Sequence, residues 1–252
     1  MGRPALHWAC VFALGAVALL GCQEVVEFKT YRFNVTESRP NLSVLPSAGV
    51  EICQVDTVNC DTTDALGMAE LHVPPNQEVA FTLEKEGYGP RLLADVSDET
   101  FGQGSRGDGQ PDSWRMYPHD QLAAIAEQLQ TRYPWEGGIV GLNVNGHVAG
   151  WTFTPVGSTI DAVGEPFYLD ELTEEYRLDL EATPSVLGAT QHPLAEGGFT
   201  EVIPGEQQFE FGGTGGDCSR LSFGWPGDTP NTIRLPVRDG YITYGSMGCE
   251  DP

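Results

Sequence analysis

The chain is patterned in short runs that alternate apolar and polar residues. In GVEICQV (49–55) Val50 and Ile52 share one face, and in GMAELHV (67–73) Ala69, Leu71 and Val73 do so. In EVAFTLEK (78–85) Phe81 and Leu83 point one way while Thr82 and Glu84 point the other. FKTYRFNV (28–35) adds a fourth β-rich run, and Pro, Gly, Asn or Asp bounds each of them. A period of two belongs to a half-buried strand, so residues 28–100 are predicted to form a small antiparallel β-sandwich. The pattern returns in the second half. GIVGLNVNGHVAGWTFTPVG (138–157) reads as a hairpin around Asn145-Gly146. YRLDLEAT (176–183) alternates, GGFTEVIPGEQQFEFGG (197–213) alternates around Pro204-Gly205, and NTIRLPVRDGYITYGS (231–246) places strands around Asp239-Gly240. Residues 137–252 are therefore expected to form a second sandwich.

Between them lie a polar, Gly-rich connector and the one good helix signal, together covering 101–136. In PHDQLAAIAEQLQTRYPW, residues Leu122, Ile125, Ala126 and Leu129 recur at helical spacing. Pro118 suits the first turn, Asp120 favours the positive end of the dipole, and Pro134 is expected to stop the helix. A single apolar stripe predicts that the helix packs on a sandwich. The expected class is all-β: two tandem antiparallel β-sandwiches, transthyretin-like or Ig-like, with one short connecting helix. One large sandwich with the helix inserted is the alternative.

The segment GVEICQV…TTDALGMAELHVPPNQEVAFTLEKEGYGP resembles the carboxypeptidase regulatory-like domain, of transthyretin-like type. The resemblance spans about 40–95 and is carried by Gly49–Cys53, Thr63-Asp64 with Gly67, Val73–Asn76, and Gly87-Tyr88. Pro75-Asn76 stands where that family has Pro-Gly, and Asn also accepts the left-handed backbone. In this reading Gly87 lets the chain leave the sheet where a side chain would clash, Tyr88 folds over the end of the sandwich, and Pro90 fixes the exit. The resemblance implies the accessory domain of those enzymes and no peptidase. Gly197-Gly198-Phe199, Val202 and Pro204-Gly205 repeat part of the same order, so 137–252 resembles a divergent second copy.

Ahead of the folded part, Arg3 and the apolar run WACVFALGAVALLG (8–21) read as a signal peptide, too short to span a bilayer comfortably. It ends in LLGC (19–22), which resembles the bacterial lipobox. That resemblance implies cleavage before Cys22, diacylglycerol on its sulfur and an acylated amine, with residues 22–27 as a tether. Several acyl chains hold a protein on a membrane far more firmly than one. Gln23 stands where an aspartate implies inner-membrane retention, so the expected address is the outer membrane of a bacterial envelope. An ordinary signal peptide cut nearby is the alternative.

Composition adds constraints. The formal charge is −23, and removal of residues 1–21 takes away Arg3 and no acid, giving −24. Such a surface repels nucleic acid and anionic headgroups and suits a basic partner or none. Four cysteines remain beyond Cys22. In an oxidising compartment they predict disulfides, and proximity in sequence favours Cys53 with Cys60 and Cys218 with Cys249. A zinc site lacks both CxxC spacing and a nearby histidine.

Catalytic signatures are few. His72, His119, His147 and His192 form no HxH, HExxH or HxxE pair, no GxSxG elbow occurs, and no phosphate loop or dinucleotide fingerprint appears. No cofactor is implied. RGD (106–108), flanked by glycines, reads as a loop. GDGQPD (107–112) resembles the end of an Asp-rich calcium loop, but Asp108 and Asp112, even with Asp98 and Glu99, fall short of the six to eight oxygens calcium takes. The expectation is a non-catalytic, lipid-anchored surface protein acting as a binding or spacer module for a protein or glycan. The alternative is a divergent hydrolase whose C-terminal cleft uses Trp151, Trp225 and nearby acids.

Overall fold

The computed structural model describes residues 28–38, 44–98, 113–145, 152–170, 175–178, 185–186, 194–212 and 218–249. Cys22, Glu99, the RGD tripeptide, Asp108, Asp112, Gly146, His147, Trp151 and His192 lie outside them. The first half contributes β1 (Lys29–Ser38), β2 (Val44–Pro46), β3 (Glu51–Gln54), β4 (Cys60–Thr62), β5 (Met68–Val73), β6 (Glu78–Glu84), β7 (Arg91–Val96) and β8 (Ser113–Met116). Helix α1 (His119–Gln128) follows. The second half contributes β9 (Gly138–Asn145), β10 (Thr152–Pro155), β11 (Pro166–Asp170), β12 (Glu175–Leu178), β13 (Ser185–Val186), β14 (Leu194–Val202) and β15 (Gly205–Gly212). It ends with β16 (Cys218–Phe223), β17 (Trp225–Pro226), β18 (Thr232–Val237) and β19 (Ile242–Cys249).

The fold is all-β, two sandwiches with, among the described residues, one short α-helix, and the sandwiches share a sheet. A small sheet runs β2-β1-β5 with β8 beside β1, and another runs β13-β10-β15-β18-β17. Between them a ten-stranded sheet runs β12-β11-β14-β9-β19-β7-β6-β3-β4, with β16 also beside β19. Pairing is antiparallel except for β1 with β8, β19 with β7 and β19 with β9. The two halves meet where Ile242 pairs with Arg91 and Thr243 with Leu92.

Paired residues on neighbouring strands share a face, which places the cores. One face of the long sheet carries Ile52, Phe81, Leu83 and Leu93, packed against Tyr31, Phe33, Val35, Leu71 and Trp114 of the first small sheet. Farther along that face, Ile139, Phe167 and Ile242 are covered by Leu122, Ala126 and Leu129 of α1. The opposite face carries Val140, Leu142, Phe199 and Met247, packed against Phe209, Phe211, Ile233 and Leu235 of the other small sheet. The sandwiches thus sit side by side, on opposite faces of one sheet.

Several local expectations are corrected. Residues 138–157 are not a hairpin: β9 pairs with β14 and β19, while β10 pairs with β13 and β15. The chain also changes sheets at Pro204-Gly205, from β14 to β15, and at Asp239-Gly240, from β18 to β19. Alternation marks which face a residue takes and says nothing of which strand lies beside it. Residues 113–116 are not connector. As β8 they insert Trp114 and Met116 into the first core, so the connector is shorter than expected. Helix α1 ends at Gln128, ahead of Pro134; the chain turns at Gln130, with φ +52°.

The turn chemistry of the first half is local and legible. The Thr63 hydroxyl donates to the Ser47 carbonyl at 2.6 Å and accepts the Val50 amide at 2.9 Å. Asp64 Oδ1 accepts from the amides of Leu66 and Met68. Asn76 takes φ +55°, the left-handed geometry expected of it. Tyr88 packs on the first core and its hydroxyl donates to Glu37 Oε2 at 2.8 Å. The reason given for Gly87 needs correcting. A Cβ there would meet nothing within 4 Å, and glycine is favoured only because φ is +84°. The close approach is at Gly89, where a Cβ would lie 2.1 Å from Leu122 Cδ1 of α1. Gly67 combines both constraints, with φ +75° and the Val35 carbonyl oxygen 2.2 Å from a Cβ. Gly87→Ala is therefore expected to cost about 1–2 kcal/mol, the left-handed penalty alone. Gly67→Ala is expected to cost more than about 2 kcal/mol, because the β1 backbone must also move. Urea denaturation of the two variants checks the order.

Candidate functional site

Where β7 meets β19, the shared sheet carries polar groups between two apolar covers. Register places Glu196 of β14, Asn143 of β9 and Ser246 of β19 in one row on the α1 face. The hydroxyls of Tyr176 and Tyr244 donate to Glu196 Oε1 at 2.9 and 3.4 Å. Burial pushes the Glu196 carboxyl up from its ordinary range, opposed by Tyr176, Arg91, Tyr244 and Arg115. Burial also raises both phenols well above theirs, and the Glu196 charge adds to this. The buried Arg91 guanidinium lies 4.5 Å from the Tyr244 ring centroid and 5.8 Å from that of Trp114, and Nη1 donates to the Arg115 carbonyl. Among the described residues, Arg91 Nε, Trp114 Nε1 and Asn143 Oδ1 have no hydrogen-bond partner.

A second polar group crosses the same junction. Asp95 of β7 is 2 % exposed. Its Oδ1 accepts from Arg220 Nη1 of β16 at 3.0 Å, while Arg220 Nη2 reaches Asp98 Oδ2, also at 3.0 Å. Burial pushes the Asp95 carboxyl up to about 7, against the pull of the Val96 amide and Arg220. Trp225 Nε1 donates to the Val79 carbonyl at 3.0 Å, Arg234 bridges Glu78 and Glu206, and the Tyr241 hydroxyl donates to Glu84. The junction is thus bonded by backbone, ion pairs and phenols at once.

The large solvent-open cavity lies elsewhere, against β15 and the short 3-10 helix Gly157–Asp161. It measures about 560 Å³ and is lined by Ser158, Thr159, Glu206, Gln208, Glu210 and Asp228, among others. Carboxylates, amides and hydroxyls make its wall rich in hydrogen-bond acceptors, which suits a hydroxylated or basic partner. A second cavity, beneath α1, is small, about 30 Å³, and lined by Tyr117, Ile125, Trp135 and Phe167 among other apolar groups. It has room for little more than a water.

The sequence-derived residues fall as follows. Cys53 bridges Cys60 across β3 and β4, and Cys218 bridges Cys249 across β16 and β19, each pair directly opposed in register. Trp225 is engaged at the junction rather than in a cleft. His72 meets Thr30 and Glu70, and His119 meets the Tyr133 hydroxyl. Among the described residues no group of three or more His, Cys, Asp or Glu could hold a metal ion. The sequence reading missed Arg91, Asp95 and Glu196. The usable signal was there in RLLADV (91–96), where Arg91 and Asp95 fall on the same face as Leu93 in an otherwise apolar strand.

No family model matches the chain, and no curated protein matches it. It is similar to several solved structures. GBS52, the minor pilin of the Gram-positive pathogen Streptococcus agalactiae, is 12% identical over 88% of this chain and 96% of that one, with a TM-score of 0.27. CBMbc from Eubacterium rectale Amy13K, solved in complex with maltoheptaose, is 8% identical over 88% and 94%, with a TM-score of 0.30. The shaft pilin SpaA of Lactobacillus rhamnosus GG is 10% identical over 89% and 98%, with a TM-score of 0.25. At these scores the architecture rests on the strand pairing described above.

Proposed function

We propose that this chain is a non-catalytic surface module of a bacterial cell envelope, held in the outer membrane by lipid on Cys22, which binds a protein or glycan partner. The observation that carries this reading is the groove against β15, on a body built around one shared sheet. Lateral fusion also bears on the choice between binder and spacer. Nine strands abreast span about 38 Å at the usual strand spacing, whereas the longest strand of that sheet, nine-residue β14, rises only about 30 Å. A spacer gains reach from sandwiches stacked end to end; this arrangement gains breadth. The two disulfides suit an exported protein.

The anchor is tested by expression in a bacterium. Wild type is expected to partition with membranes and take up labelled fatty acid, and Cys22→Ala to do neither. Uptake that survives the substitution removes the lipobox reading. The same protein is expected to leave esterase, peptidase and glycosidase substrates uncleaved. A reproducible turnover lost on mutating one acid or serine within 137–250 would replace the binding module with an enzyme.

A further inference from the structure

Phe28 is 56 % exposed and Val58 is 99 % exposed. Both lie at one pole of the first sandwich. Lys29 pairs with Val73 and Thr30 with His72, so the start of β1 meets the end of β5. Asn59, next to Val58, donates through Nδ2 to the His72 carbonyl at 2.8 Å. The Pro74–Gln77 turn closes the same pole, with the Ser97 hydroxyl donating to the Pro74 carbonyl. Beside this pole Glu78 pairs with Arg234 and Asp98 with Arg220, and Asp56, in the turn that carries Val58, is exposed. Lys29 adjoins Phe28. The pole therefore offers two bare apolar side chains, Phe28 being flanked in sequence by both Glu27 and Lys29, on a strongly acidic chain. At the other pole, in the turn between β4 and β5, Leu66 is 69 % exposed.

We infer that the pole bearing Phe28 and Val58 rests on the bilayer that holds the anchor, with both side chains in the interfacial layer and the Leu66 pole facing away. This rests on the reading of Cys22 as the lipid site. From Cys22 to Phe28 there are six residue steps, which reach no more than about 21 Å fully extended. From Phe28 to Val35, whose amide donates to the Gly67 carbonyl beside Leu66, β1 rises about 23 Å. The inverted orientation would require the tether to run back along the whole height of the sandwich, beyond its reach. Contact through apolar side chains also avoids the headgroup repulsion that the net charge imposes on the rest of the surface.

The test uses the full lipidated chain reconstituted in phosphatidylcholine vesicles whose acyl chains carry bromine, a contact quencher of tryptophan. Val58→Trp and Leu66→Trp are compared with wild type, and both substitutions fall on exposed turns. The emission added at 58 is expected to fall by more than half relative to unbrominated vesicles, and that added at 66 to stay unchanged. With lipid on Cys22 confirmed by mass, equal quenching at the two positions, or stronger quenching at 66, overturns the orientation and leaves the anchor standing. Absence of lipid on Cys22 removes both.

Discussion

Arg220→Ala is expected to lower the unfolding free energy, and to lower it by about 1.4 kcal/mol more at pH 8 than at pH 5. Arg220 is shared by Asp95 and Asp98 across the junction, and Asp95 is almost fully buried. Removing the guanidinium leaves the buried Asp95 carboxyl without its counter-charge, so it stays protonated to higher pH, at about 1.4 kcal/mol for each pH unit above 7. The pH dependence follows from the raised carboxyl. Asp95 titrates at about 7 in the fold and near 3.8 in the unfolded chain, so between those values the folded state holds a proton that the unfolded state has released. Stability contributed by this group is present at low pH and is lost as pH rises through 4 to 7. At pH 5 Asp95 is already neutral in wild type, and losing Arg220 matters less. Asp95→Asn cannot ionise. Relative to that variant, wild type is expected to lose up to about 4 kcal/mol between pH 4 and pH 8. Urea denaturation midpoints across pH measure both effects. Parallel profiles for wild type and Asp95→Asn would show that Asp95 does not titrate in this window.

Removing the C-terminal bridge is the second large change. The Cys218–Cys249 bridge closes a loop of sequence separation 31, and Cys53–Cys60 closes one of 7. Loop-closure entropy makes them worth about 3.7 and 2.5 kcal/mol. Replacing both cysteines of each pair by alanine is expected to follow that order. Cys218 and Cys249 also pack in the second core, which adds to their loss, whereas Cys60 is exposed. A mild reductant is therefore expected to open Cys53–Cys60 first, as read by mass after thiol tagging. Preferential opening of Cys218–Cys249 would contradict the burial argument.

The sequence by itself determined the β content, the inward faces of β3 and β5, the apolar stripe of α1, and the turns whose chemistry is local. Asn76 takes the left-handed backbone because few other side chains do so cheaply, and Asp64 satisfies amides two and four residues on. The disulfide partners were legible for the same reason, since each pair sits on neighbouring strands close in the chain. Tertiary structure decided everything that depends on which strand lies beside which. Alternation is a signal along one dimension; it separates inside from outside and carries no label for the neighbour. Hence β9 and β10 part into different sheets across a stretch that looks like a hairpin, and β7 and β19, about 150 residues apart, meet in parallel. That meeting also turned Arg91, Asp95 and Glu196 from unremarked charges into the polar joint of the molecule. Arg91 and Asp95 flank Leu93 on one face of β7, where Tyr244 and Arg220 of the second half reach them, and Glu196 is met there by Tyr176 and Tyr244.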